Sequence, residues 1–265
     1  MIRSFFSFFL FSLVFCFKLA TAKDVPCSLE NKSEVKLLIH NYMKDNEIVE
    51  EPNDLMKNFF LMQRSQQTDK YDLKQVLTNN HYALECDSAD PVLGNLNADV
   101  TVVEFFDYQC KYCKLMTKLL KELAKEDTNI RIVFKELPIL SKVSETAALA
   151  SLASHLQNKY MKFQNKLFDT PGRITQEVIF QLAKEIGLDI DKLKNDMESI
   201  MLRNQIRKSF ELARLLSIQG IPSLVIGDYL IHGLISKKQL VQAVTEVRRS
   251  NTLNHLQDQF LDCSK

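Results

Sequence analysis

Apolar positions change their spacing several times along the chain, and each change marks an element. Residues 5–17 form an apolar run behind Arg3 and ahead of Ala20-Thr21-Ala22. A positive start, a run shorter than the roughly 20 residues that span a bilayer, and small residues before the break predict a signal peptide, 1–22, cleaved after Ala22. Val35, Leu38, Ile39, Tyr42 and Met43 then recur at helical spacing, as do Leu55, Met56, Phe59, Phe60 and Met62 beyond Pro52. Residues 23–70 are therefore expected to form an N-terminal extension of two amphipathic helices broken by that proline. Few residues surround their stripes, which pack either on the main domain or on another copy of the chain.

The stretch 71–99 reads as polar and turn-rich, with Asp90-Pro91 and Gly94-Asn95. The run Val100-Thr101-Val102-Val103-Glu104-Phe105-Phe106 is β-branched and aromatic, and predicts a buried strand. Residues 111–125 carry Leu115, Met116, Leu119, Leu120 and Leu123 on one helical face, and Ile130-Arg131-Ile132-Val133-Phe134 makes the next strand. From Ser144 the spacing turns helical over 147–156, 160–167, 178–186 and 193–216. Pro171-Gly172 separates two of these helices, and Gly187 followed by Asp189 supplies a helix end and the next N-cap. Strands return at 223–226 and 229–232 around a Gly227-Asp228 turn. A last helix opens with the capping box Ser236 to Gln239 and buries Leu240, Val244 and Val247. The order strand, helix, strand, helices, strand, strand, helix makes 71–265 an α/β domain with an all-helical insertion at about 143–217. The tail from Asn251 is largely polar.

At 265 residues the chain is long enough for one sizeable domain and a smaller appendage. Its 34 Lys and Arg against 33 Asp and Glu leave a net +1, and losing Arg3 and Lys18 with the leader reverses that sign. No basic surplus argues for nucleic acid. Cys16 falls in the leader, so Cys27, Cys86, Cys110, Cys113 and Cys263 remain. In an oxidising compartment, a close pair that cycles leaves enough for one structural disulfide and one unpaired thiol, in any of three pairings.

The chemistry centres on Cys110-Lys111-Tyr112-Cys113, where a strand gives way to a helix. A sulfur near the N-cap faces unpaired N–H groups, which favours thiolate, and Lys111 and Lys114 add positive charge. The three-residue offset lets Cys113 reach back from the first turn. Half a zinc site has the same spacing, but His40, His81, His155, His232 and His255 are scattered singly, so neither metal nor cofactor is expected. A static disulfide is the other bland reading. Glu104 precedes Cys110 by six positions, and strand alternation points it inward, where a carboxyl of raised pKa suits proton exchange with the second thiol. Otherwise it is a strand-edge glutamate in solvent. Pro222, at the start of a strand, marks a special bend.

With Val102-Val103-Glu104-Phe105-Phe106-Asp107-Tyr108-Gln109-Cys110-Lys111-Tyr112-Cys113, the helical insertion and Gly220-Ile221-Pro222-Ser223-Leu224-Val225-Ile226-Gly227 in that order, the chain resembles a DsbA-family thiol-disulfide oxidoreductase. The resemblance implies a thioredoxin-like fold with Cys110 as nucleophile, Cys113 as resolving thiol, Glu104 as the buried carboxylate and Pro222 as a cis-proline opposite the cysteines. Ile221 would pair with substrate as an added strand, with Lys111 and Tyr112 beside it. It further implies a periplasmic or otherwise exported protein that introduces disulfides into reduced or unfolded exported proteins and exchanges electrons with a membrane redox partner. Two departures matter: Lys111-Tyr112 replaces the Pro-His of the best-known oxidases, and the N-terminal helices resemble extensions that make some relatives oligomeric. An isomerase, or a non-enzymatic chaperone or assembly factor using those helices, are the alternatives.

Overall fold

The computed structural model describes residues 73–254, all within one compact unit of the chain. The leader, the two N-terminal helices, Cys16, Cys27, Cys263, His40 and His255 lie outside the described residues.

Five strands form one sheet: β1 Val92–Gly94, β2 Val100–Phe106, β3 Ile130–Glu136, β4 Ser223–Ile226 and β5 Tyr229–His232, in spatial order β1-β3-β2-β4-β5. Between β2 and β3 runs α2, Lys111–Glu126, the crossover that makes these strands parallel, with Val100 opposite Ile130 and Phe106 opposite Glu136. β4 lies antiparallel to β2 on its other side, with Glu104 opposite Leu224. All seven residues of β2 are buried, as expected of a central strand covered on both faces. Glu104 is thus buried as expected, and because neither face of β2 meets solvent the burial does not depend on alternation.

Five helices stand between β3 and β4: α3 Lys142–His155, α4 Tyr160–Asp169, α5 Gln176–Glu185, α6 Ile190–Met197 and α7 Ile200–Leu215. α3 is the hub, and α4, α5, α6 and α7 all pack on it. Its buried face is Ala147, Ala148, Ala150, Ser151, Ala153 and Ser154 among two leucines, small enough to let four helices approach. The local punctuation works as its chemistry requires. Gly187 takes φ +77 and Asp189 accepts from the Lys192 N–H at 2.9 Å. Ser236 and Gln239 bond reciprocally at the start of α8, Lys237–Asn254.

Three expectations are corrected. The stretch 71–99 is not merely turns: it holds α1, Leu73–Asn79, a π-helical turn, Tyr82–Cys86, and β1. These pieces are too short to show a period. The expected helix 193–216 is two, because Ser199 caps α7 by accepting from the Leu202 N–H at 3.3 Å; apolar spacing that continues across the break concealed it. Leu115, placed on the buried face of α2, is 47% exposed, while Cys113, Met116, Thr117, Leu120 and Leu123 are buried.

Candidate active site

β2 delivers the chain to the site and Asp107 holds it there. Its buried carboxylate accepts from the Gln109 N–H at 2.8 Å and from the Leu140 N–H at 3.0 Å, tying the loop before α2 to the loop after β3. Its carbonyl accepts from the Cys110 N–H at 3.1 Å. Cys110 is the N-cap of α2, in extended backbone, and its Sγ accepts from the Cys113 N–H at 3.3 Å. Both Cys110 and Cys113 are free thiols.

The two sulfurs are unlike. Hydrogen bonds from the Cys113 side chain, and from the Cys113 and Tyr112 N–H groups, lower the Cys110 pKa to about 7 against the opposing effect of burial. Burial pushes the Cys113 thiol well above its ordinary value, and the Cys110 sulfur beside it adds to the shift. The first-turn N–H groups act as expected, with the Cys113 side chain adding to them, whereas neither lysine is among the causes and the Lys111 ammonium sits over the Tyr112 ring, 4.9 Å from its centroid. Lys111, Tyr112 and Lys114 are exposed.

Ile221 and Pro222 come to this pair from 111 residues away. The Cys110 thiol donates to the Ile221 carbonyl at 3.7 Å, and the Ile221-Pro222 peptide is cis. Ile221 is half-buried and Pro222 buried. Behind the cysteines, Glu104 has no exposure at all. The Thr117 hydroxyl lies 2.9 Å from each of its oxygens. Burial raises the Glu104 pKa to about 8, against the pull of Thr117 and Lys121. The solvent-edge reading of Glu104 is thereby excluded.

A further buried acid, Glu136 at the end of β3, carries no local mark in the sequence. It accepts from Tyr108 at 2.9 Å and Tyr160 at 2.7 Å, and burial raises its pKa well above the carboxylate range. A glutamate following a lysine at a strand end ordinarily signals solvent; only its place beside Phe106 in a doubly covered sheet would have revealed it. The described histidines belong elsewhere: His81 contacts Cys86, His155 meets the Tyr160 ring edge-on and His232 lies 3.2 Å from the Ser223 hydroxyl. Cys86 is disulfide-bonded, and its partner is neither Cys110 nor Cys113.

With this geometry the relationship to known proteins is direct. A model of the DSBA-like thioredoxin domain matches residues 101–245, more than half of the chain. The chain belongs to that family. DsbA-like proteins are thiol-disulfide oxidoreductases. Among solved structures, the chain is similar to a thioredoxin-like oxidoreductase from Silicibacter pomeroyi DSS-3, with 40% identity and a TM-score of 0.63, covering 64% of this chain and 98% of that one. It is 30% identical over 156 residues to a probable disulfide bond formation protein D of Bacillus anthracis, covering 54% of this chain and 72% of the relative. It is also 27% identical over 175 residues, 65% of this chain, to a Na(+)/H(+) antiporter NhaA 1 of Salinispora arenicola, of whose length it spans only 27%. The DsbA-like part is thus shared with proteins of very different overall size.

Proposed function

We propose that the protein is an exported thiol-disulfide oxidoreductase that introduces disulfides into other proteins through Cys110 and Cys113. The observation that carries this reading is the unlikeness of the two thiols: Cys110 is held towards thiolate at the start of α2 beside the Ile221 carbonyl, and Cys113 stays protonated behind it. A substrate thiolate attacks Cys110 Sγ of the oxidised enzyme. The Cys110 to Cys113 bond breaks, and the Cys113 sulfur takes the electron pair and a proton from Glu104. A second substrate thiolate then attacks its own sulfur in the mixed disulfide, forming the substrate disulfide and releasing Cys110 as thiolate. Electrons pass between sulfurs throughout, so no cofactor is needed. Ile221 would hold the substrate backbone as an added strand, flanked by Lys111 and Tyr112.

Substrates of this chemistry are reduced or unfolded exported proteins, and a membrane redox partner would reoxidise Cys110 and Cys113. The leader 1–22 and the disulfide at Cys86 support an oxidising compartment. The lowered Cys110 pKa supports the oxidase direction, because a stabilised thiolate stabilises the reduced enzyme by about 1.4 kcal/mol per unit. Isomerisation is the second reading, favoured if the N-terminal helices join copies and set two sites across a cleft.

Insulin reduction and oxidative refolding of a reduced protein test the enzyme. Cys110→Ser should abolish both, together with a thiolate absorbance that titrates near pH 7 in the parent; an undiminished rate in the variant would refute the reading. Equilibration with glutathione tests direction, and a potential as reducing as thioredoxin's would exclude the oxidase.

A further inference from the structure

Cys113, Thr117 and Lys121 follow one another at intervals of four on α2, and therefore line one side of that helix. Cys113 and Thr117 are buried, while Lys121 is half-exposed and donates to Asn165 of α4 at 2.5 Å. In the sheet, Glu104 stands between Phe134 of β3 and Leu224 of β4, both apolar, so its polar partners come from α2. The Thr117 hydroxyl lies 2.9 Å from both carboxyl oxygens. One turn further along, Lys121 attracts the same carboxyl electrostatically.

We propose that Thr117 and Lys121 are positioning residues that set the charge of Glu104, and through it the ease with which Cys113 releases and regains its proton. The proposal rests on the reading of Glu104 as the proton partner of Cys113. In resolution of a mixed disulfide, the Cys113 proton passes to the Glu104 carboxylate and the Cys113 sulfur bonds to Cys110 Sγ. The departing group leaves with the electron pair of the broken bond. This step requires ionised Glu104, which burial opposes and Lys121 and Thr117 favour. Burial raises Glu104 and lowers Lys121, each to about 8, so the lysine is still charged where the carboxylate begins to form. Facing Glu104 are also Cys110, Cys113 and, electrostatically, Glu136; Asp169 of α4 and Lys125 of α2 face Lys121.

The test is stopped-flow reaction of the reduced full-length protein with Ellman's reagent across a pH series. The first thionitrobenzoate release reports attack by Cys110 and serves as internal reference; the second reports resolution by Cys113. Lys121→Met should move the alkaline limb of the second release upward by about half to one pH unit, slowing it about three- to tenfold at pH 7. Lys121→Arg should restore the limb, and Thr117→Val should shift it upward where Thr117→Ser does not. Lys121→Gln serves if the methionine variant does not fold. An unmoved limb in the lysine variants, or equal shifts of both releases, would overturn the proposal. Glu104→Gln separates the two levels. If the limb survives in that variant, the role of Glu104 itself fails. If it vanishes there while Lys121→Met leaves the parent limb unmoved, only the present proposal fails.

Discussion

Glu104 has no exposure, and burial carries its pKa from 4.5 to about 8. A carboxyl whose pKa is raised on folding stabilises the protein fully below the unfolded value and loses that contribution as pH rises towards the folded one. The stability of the reduced protein should accordingly decline between pH 4.5 and about 8 on account of this group. Glu104→Gln keeps an amide oxygen for the Thr117 hydroxyl and removes the titration. Urea denaturation at a series of pH values should show the variant more stable than the parent by about 2–4 kcal/mol near pH 7.5, with a flatter decline. Parallel declines in the two proteins would mean that Glu104 is ionised in both folded and unfolded states. Cys110 acts in the opposite sense: its lowered pKa stabilises the reduced protein above the unfolded thiol value, and that gain is lost as pH falls through about 7.

Among the elements, the break between α6 and α7 depends on one side chain. Ser199 accepts from the Leu202 N–H at 3.3 Å, and α7 carries Leu202, Ile206, Phe210 and Ala213 into the core behind it. Ser199→Ala should cost about 1 kcal/mol of stability with little effect on thiol exchange, because it removes a cap remote from the cysteines. Calorimetry of the variant would measure it, and a cost near zero would show that packing alone sets the break. The caps that were legible beforehand, Asp189 and the pair Ser236 and Gln239, share a feature that Ser199 lacks in the sequence. A glycine closely precedes each of them, Gly187 and Gly233, whereas Ser199 follows Met197-Glu198 with no glycine nearby.

For the molecule as a whole, the apolar stripes expected at Val35 to Met43 and Leu55 to Met62 lie outside the described residues and are open to test in solution. Light scattering on the mature protein and on a chain beginning near Tyr71 should find an oligomer for the first and a monomer for the second. Monomers in both would return the helices to their own domain. What the sequence by itself determined were features decided within a few residues: the strand leading to Cys110, the helix that starts there, the Gly227-Asp228 turn and the capping box at Ser236. Periodicity, capping and turn preference are short-range, so one stretch of chain suffices to express them. Only the tertiary structure decided that β2 is covered on both faces and Glu104 wholly buried. It alone brought the Ile221 carbonyl to Cys110 across 111 residues and closed Tyr108 and Tyr160 around Glu136. Burial and hydrogen-bond partners are set by what distant segments pack together, and those distances are nowhere written in local spacing.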